Sequence, residues 1–257
     1  MRAERGGISE DAIVGGRLVL AQPVRGHRIG HDAVLLAAAT AAQPGGFAIE
    51  LGAGVGGAGL ALAHRVEGLR VRLVEIDPDL VALARANAER NCLAARVAAF
   101  CLDVAAPAAT FAAAGLPDGV ADCVLMNPPF NPPQHPSPDA ARRLAHVGSE
   151  ATLGLWLSVA ARLLRPGGTV TLIWRADGLA GVLAALAADF GAVAILPIYP
   201  KPHTAAVRIL AAAVKGGGAP LSVAPGLVLA DANGKPSAAA EAVLRGGAPL
   251  PLAQTEN

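Results

Sequence analysis

From Gly46 to Val214 the chain alternates short apolar runs with longer, Ala-rich segments of helical period, and this alternation restricts the possible folds more than any other feature. "GFAIELG", "VRLVEID", "RVAAFCLD", "ADCVLM" and "GGTVTLIW" read as strands: they are short, rich in branched residues and bounded by turn formers. "GGAGLALAHRV", "PDLVALARANAERN", the stretch from Ser149 to Leu164 and "GLAGVLAALAADF" read as helices, with Pro78 suited to a first helical turn. Strands that alternate with helices predict an α/β fold, a mostly parallel sheet with helices on both faces. The end of the pattern differs. "AVAILPI" and "AAVRILAAAV" are joined through "YPKPHT", too short for a right-handed crossover, so the last strand must run antiparallel.

The chain's 257 residues, 53% of them hydrophobic, suffice for one large domain with a sizeable core. The expectation is a single domain over 1–257. Residues 1–44 would form an N-terminal hairpin ("AIVGGRLVLAQP") and a helix ("GHDAVLLAAATAA") covering a crevice, 45–215 the core, and 216–257 a tail read as an irregular edge. Between Gly178 and Pro200, Asp189, Gly191 and Pro197 interrupt the apolar run, so no membrane span is expected. The opening "MRAERGGISEDA" has no apolar stretch of the kind a secretory signal needs. Cys92, Cys101 and Cys123 are an odd set without C-x-x-C spacing, the histidines show no metal-ligand pair, and G-x-S-x-G is absent. These features argue for a soluble cytoplasmic protein and against metal-dependent or serine-hydrolase chemistry. A net charge of +1 means that any nucleic-acid surface must be local.

"ELGAGVGG", Glu50 to Gly57, falls at a strand-to-helix turn, where glycines let a ligand approach the backbone and the next helix offers free amides. Its spacing, with Gly52, Gly54 and Gly56, is G-x-G-x-G preceded by an acid. Nicotinamide enzymes more usually show G-x-G-x-x-G, which Gly57 permits only loosely, and a tight turn that binds nothing is the plain alternative. About 20 residues on, "RLVEID" ends on acids, where a carboxylate can accept from both hydroxyls of a ribose. Glu75 takes that position, and Asp77 fits a helix N-cap better. Asp103, ending "CLD", either accepts from an adenine amino group or is a solvated loop acid. Ribose, adenine and a phosphate-free tail together describe S-adenosylmethionine.

The strand "ADCVLM" runs into "NPPF" at its carboxyl end. Two prolines cannot continue a central strand, so a stiff loop begins there. It presents the Asn127 amide, the Pro128 carbonyl, Pro129 and the Phe130 ring. An amine conjugated to a ring is a poor nucleophile because its lone pair is delocalised. Asn127 and Pro128 could accept its two N–H bonds and direct that lone pair, while Phe130 stacks on the planar group. Read alone, the motif could also be only a rigid turn.

At this point the sequence resembles the bacterial tRNA1(Val) adenine N6-methyltransferase family, class I methyltransferases whose sheet ends in an antiparallel strand. The resemblance runs through "GGRLVLAQP", "GHRIGHDAVLLAAA", "LGAGVGGAGLALAHRV", "VEIDPDLVALARANAERN", "NPPF", "LLRPGG", "YPKP" and "GLVLAD". It implies an S-adenosylmethionine-dependent N-methyltransferase with adenine N6 of a tRNA as acceptor. Guanine N2 in rRNA, protein glutamine N5, or a non-catalytic cofactor- or RNA-binding subunit remain the alternatives. Phe130 stands where the family often has Tyr, and the basic "YPKP" loop keeps only Lys201, His203 and Arg208. The candidate cofactor residues are Asp32, Glu50, Gly52, Gly54, Gly56, Glu75 and Asp103. The candidate catalytic residues are Asn127, Pro128, Pro129 and Phe130. Arg28, Arg142, Arg143, His146 and Lys201 are candidates for an RNA-binding rim. A monomer or homodimer is expected.

Overall fold

The computed structural model describes residues 7–25, 28–129 and 150–253. Strand β3 (Phe47–Leu51) leads into α2 (Gly57–Arg65), β4 (Arg70–Glu75) into α3 (Pro78–Arg90), and β5 (Val97–Cys101) into the short α4 (Ala108–Ala113). After β6 (Ala121–Met126) come α5 (Glu150–Leu163), β7 (Leu164–Arg175), α6 (Leu179–Leu186), β8 (Phe190–Tyr199) and β9 (Arg208–Lys215). The main path across the sheet is β8-β9-β7-β6-β3-β4-β5. Its parallel pairs are β3 with β4, β3 with β6, β4 with β5 and β6 with β7. Strand β9 inserts between β7 and β8 and is antiparallel to both, as the short "YPKPHT" connection requires. The chain therefore winds outward from β3 to β5, then returns to place β6 on the other side of β3. That reversal opens a crevice at the carboxyl ends of β3 and β6.

Each face of the sheet is covered. Leu35, Leu60, Leu62 and Leu73 belong to the apolar layer beneath the helices of one face, and Ile49, Leu51, Phe111, Leu157 and Leu172 to the layer on the other. Small residues let the helices come close. A Cβ at Gly59 of α2 would stand 2.4 Å from Leu73 Cδ2 and 2.6 Å from Glu50 Oε2, so glycine permits this approach.

The hairpin of β1 (Ile8–Ile13) and β2 (Leu18–Pro23) forms as the Gly-Gly turn predicts. What holds it was not legible from spacing. Asn87 and Asn91, one turn apart at the end of α3, act as substitute strand partners for the outer edge of β2. Asn87 Oδ1 accepts from Ala21 N at 2.7 Å, and its Nδ2 donates to Ala21 O at 3.0 Å. Asn91 makes the same reciprocal pair with Val19, at 2.9 Å each way. These bonds satisfy backbone groups that an unpaired strand edge would leave exposed.

Helix α1 (His31–Ala39) follows the hairpin. The segment after Gly216 is more regular than expected. Strands β10 (Ser222–Val223) and β11 (Leu227–Val228) pair in parallel with β8, and α7 (Ala238–Leu244) starts on a Ser237 cap. Val243 and Leu250 are buried in the core, and Leu250 N donates to Ala38 O at 2.8 Å, so the segment packs against α1. Its Ala, Gly and Pro content hid these contacts, because the strands are only two residues long. Among the described residues, no helix is long and apolar enough to cross a membrane.

Candidate active site

Register brings the site together before any side chain does. Leu51 pairs with both Val74 and Met126, and Glu75 pairs with Cys101. Gly52, Glu75 and Asn127 therefore emerge side by side at one edge of the sheet, with Asp103 just past the end of β5.

The glycine loop turns through left-handed backbone at Gly52, Gly54 and Gly56, with φ of 66°, 56° and 89°. At Gly52 glycine is needed twice over, since a Cβ there would also lie 2.4 Å from the Trp156 ring of α5. Gly54 has nothing within 4 Å of the place a Cβ would occupy, so the loop presents open backbone to a ligand.

Glu75 closes the loop from below. Its Oε2 accepts from Gly54 N at 2.8 Å and its Oε1 from Asp77 N at 3.0 Å. Asp77 caps α3 as expected, accepting from Asp79 N at 2.8 Å and Leu80 N at 3.4 Å. Asp103 is exposed, with Oδ1 bonded to Ala105 N at 2.8 Å. That is a local turn beside the crevice.

Glu50 is the most deeply buried of the candidate acids. Only 4% of it is exposed, and its Oε2 accepts from Gly59 N at 2.7 Å. Through that bond Glu50 braces the start of α2. Burial, with the negative charge of Glu75 adding to it, pushes its carboxyl up to about 8 against the pull of the Gly59 amide.

Asn127, at the end of β6, is half-buried; Pro128 is buried and Pro129 half-buried. The Asn127 Oδ1 is buried and has no hydrogen-bond partner among the described residues. Native proteins pair most buried acceptors, and this one ends a strand beside the glycine loop without a partner among the described residues.

Two further candidates have ion-pair partners within the chain. Arg28 Nη2 is bonded to Asp11 Oδ2 at 2.7 Å, tying the segment before α1 back to the hairpin. Asp32, in the first turn of α1, accepts from Arg208 Nε of β9 at 3.0 Å, so it links the covering helix to the sheet. Lys201 is exposed in the turn between β8 and β9, where Thr204 Oγ1 donates to its carbonyl at 2.7 Å. Phe130, Arg142, Arg143 and His146 lie outside the described residues.

Sequence reasoning missed Trp156 and Asn87. Asn87 also donates to Val55 O at 3.1 Å, which connects the hairpin's anchor to the glycine loop. The only sequence signal was a pair of asparagines, i and i+4, on a helix. Among the described residues no cluster of His, Cys, Asp and Glu could hold a metal.

The open backbone at Gly54, the strand-end acid beneath it and the buried oxygen of Asn127 suit a ligand carrying a ribose and no phosphate. Such a crevice, in a sheet whose last strand is reversed, defines the S-adenosylmethionine-dependent class I methyltransferases. Residues 27–198 match the methyltransferase small domain, and the chain belongs to that family. Among curated relatives, the tRNA1(Val) (adenine(37)-N6)-methyltransferase of Porphyromonas gingivalis is 30% identical over 189 residues, 71% of this chain and 72% of the relative. A protein of the same name from Tolumonas auensis is 30% identical over 147 residues, 57% of this chain and 58% of its own length. Among solved structures, a predicted O-methyltransferase from Agrobacterium tumefaciens, protein Atu636, is 30% identical with a TM-score of 0.73, covering 85% of this chain and 98% of that one. The Thermus thermophilus 16S rRNA N2 G1207 methyltransferase, in complex with AdoMet and guanosine, shares the fold with a TM-score of 0.56 at 21% identity, over 81% of this chain and 50% of that one.

Proposed function

We propose that this methyltransferase acts on the N6 amine of an adenine in a tRNA. The observation that carries the reading is the buried Oδ1 of Asn127 beside the glycine loop, which has no partner among the described residues. Leaving a buried acceptor unpaired costs the folded state about 1–3 kcal/mol, a cost that an arriving N–H removes. An exocyclic amine brings two such groups. Asn127 Oδ1 accepts one and the Pro128 carbonyl the other, which turns the nitrogen lone pair out of conjugation and fixes its direction. S-adenosylmethionine supplies the methyl group as an electrophilic carbon on a sulfonium sulfur. Once the nitrogen is alkylated it is strongly acidic, and its extra proton leaves to solvent without a strong base.

The remaining residues bind and orient. Glu75, held by the Gly54 and Asp77 amides, keeps acceptor capacity for ribose hydroxyls, and Asp103 stands where an adenine amino group can be bound. Glu50 and Asp32 act through the glycine loop and α1, respectively. Phe130 would stack on the base after it has been turned out of the RNA. Lys201 would contact phosphate on the rim, with Arg142, Arg143 and His146 proposed from sequence for the same role. The names of the curated relatives support adenine in tRNA over other acceptors.

The test is transfer of labelled methyl from S-adenosylmethionine into total RNA and total protein, followed by nucleoside analysis. N6-methyladenosine in the tRNA fraction is the expected product. N2-methylguanosine, or label in protein glutamine, would reassign the acceptor, and no transfer at all would refute catalysis.

A further inference from the structure

A cavity of about 220 Å³ lies among the hairpin turn, α1, α2 and α7. It is remote from the Asn127 edge. Helix α2 leaves the glycine loop at Gly57 and carries Arg65 along the same face of the sheet, about 12 Å from the loop at ~1.5 Å per residue. Val14, Val34 and Val243 are among its apolar walls, and Arg17, His64 and Arg65 supply its polar ones. No aspartate or glutamate lines it.

Arg65 is the member that calls for a ligand. Its Nη2 donates to Ala37 O at 3.1 Å and to Thr40 O at 2.5 Å, at the end of α1. Its Nε is buried without a hydrogen-bond partner among the described residues. Arg65 also forms no ion pair among them, although burial disfavours its charged form. Desolvated guanidinium groups are normally matched by a carboxylate or phosphate, because a neutral carbonyl offsets only part of the lost hydration. Arg17 adds a second cation, with one nitrogen bonded to Gly246 O at 2.7 Å.

We propose that this cavity binds a small aliphatic carboxylate, with its anionic head on Arg65 and Arg17 and its short chain among the three valines. The walls select against a free phosphate, which would lose hydration to apolar surface that offers it no donors. The space holds several water-sized groups, enough for a short acyl chain, and hexanoate is the probe.

The test uses the full chain with hexanoate, in saturating S-adenosylhomocysteine so that the reaction edge is already filled. Calorimetry and thermal unfolding should show saturable binding and a Tm that rises with hexanoate concentration. In Arg65→Gln the affinity should fall about tenfold or more, the loss expected for a charge-assisted pair. Should that variant fold poorly, Ala61→Leu keeps the arginine and fills the cavity, and it should abolish binding. Hexanol and inorganic phosphate should not bind. No binding to the wild type, equal binding by a folded variant, or equal binding of hexanol or phosphate would each overturn the assignment.

Discussion

Glu50→Gln separates two roles for the acid of the glycine motif. In the structure this carboxyl is buried, bonded to the Gly59 amide and raised from an ordinary 4.5 to about 8. Between those values the folded state binds a proton that the unfolded chain has released, so stability falls as pH rises through the window and levels off above it. At 1.36 kcal/mol per pH unit the loss approaches ~5 kcal/mol above pH 8, and ~3 kcal/mol of it has accrued by pH 7. Glutamine is neutral at every pH, and its oxygen can still accept from Gly59. The variant should therefore match the wild type near pH 5 and exceed it at pH 8, with a flatter profile. Urea unfolding at pH 5, 6, 7 and 8, analysed at constant m, measures this directly. The KM for S-adenosylmethionine should stay within about twofold, because the carboxyl braces the start of α2. A wild-type profile parallel to that of Glu50→Gln would refute the buried, protonated carboxyl. A large rise in KM would place Glu50 among the cofactor-contacting residues.

Asn127→Ala should leave the fold and cofactor affinity intact and lower single-turnover methyl transfer at least about tenfold, since one aligned hydrogen bond is worth ~1.4 kcal/mol or more in the transition state; full activity would reduce "NPPF" to a stiff loop. Glu75→Ala should weaken S-adenosylmethionine binding in calorimetry, and unchanged affinity in a folded protein would show that another acid holds the ribose. Asn87→Ala strips buried partners from Ala21 N, Ala21 O and Val55 O and should cost about 3 kcal/mol in urea unfolding, near 1 kcal/mol for each group left unpaired; a loss under 1 kcal/mol would mean that the hairpin is held by apolar packing alone.

Much of this protein was decided within short windows of sequence. The alternating strands and helices, the reversed last strand forced by "YPKPHT", the left-handed glycine turn and the Asp77 cap depend on residues a few positions apart, whose conformational preferences are local. The carboxyl-edge placement of Gly52, Glu75 and Asn127 followed too, because parallel strands of similar length end together. Packing decided the rest. Glu50 sits in a strand that is buried along its whole length, so the fate of its carboxyl depended on how closely α2 could approach. Arg28 is an RNA-rim candidate and Asp32 a cofactor candidate in sequence, and each has an ion-pair partner that only the tertiary structure supplies; Arg208 lies 176 positions from Asp32. Asn87 and Asn91 are polar residues on a helix until the hairpin edge meets them. Two-residue strands in the final segment carry no period to read, and they exist only because β8 offers an unpaired edge. Charge pairing and edge pairing act through space, so their partners are set by the fold and not by position along the chain.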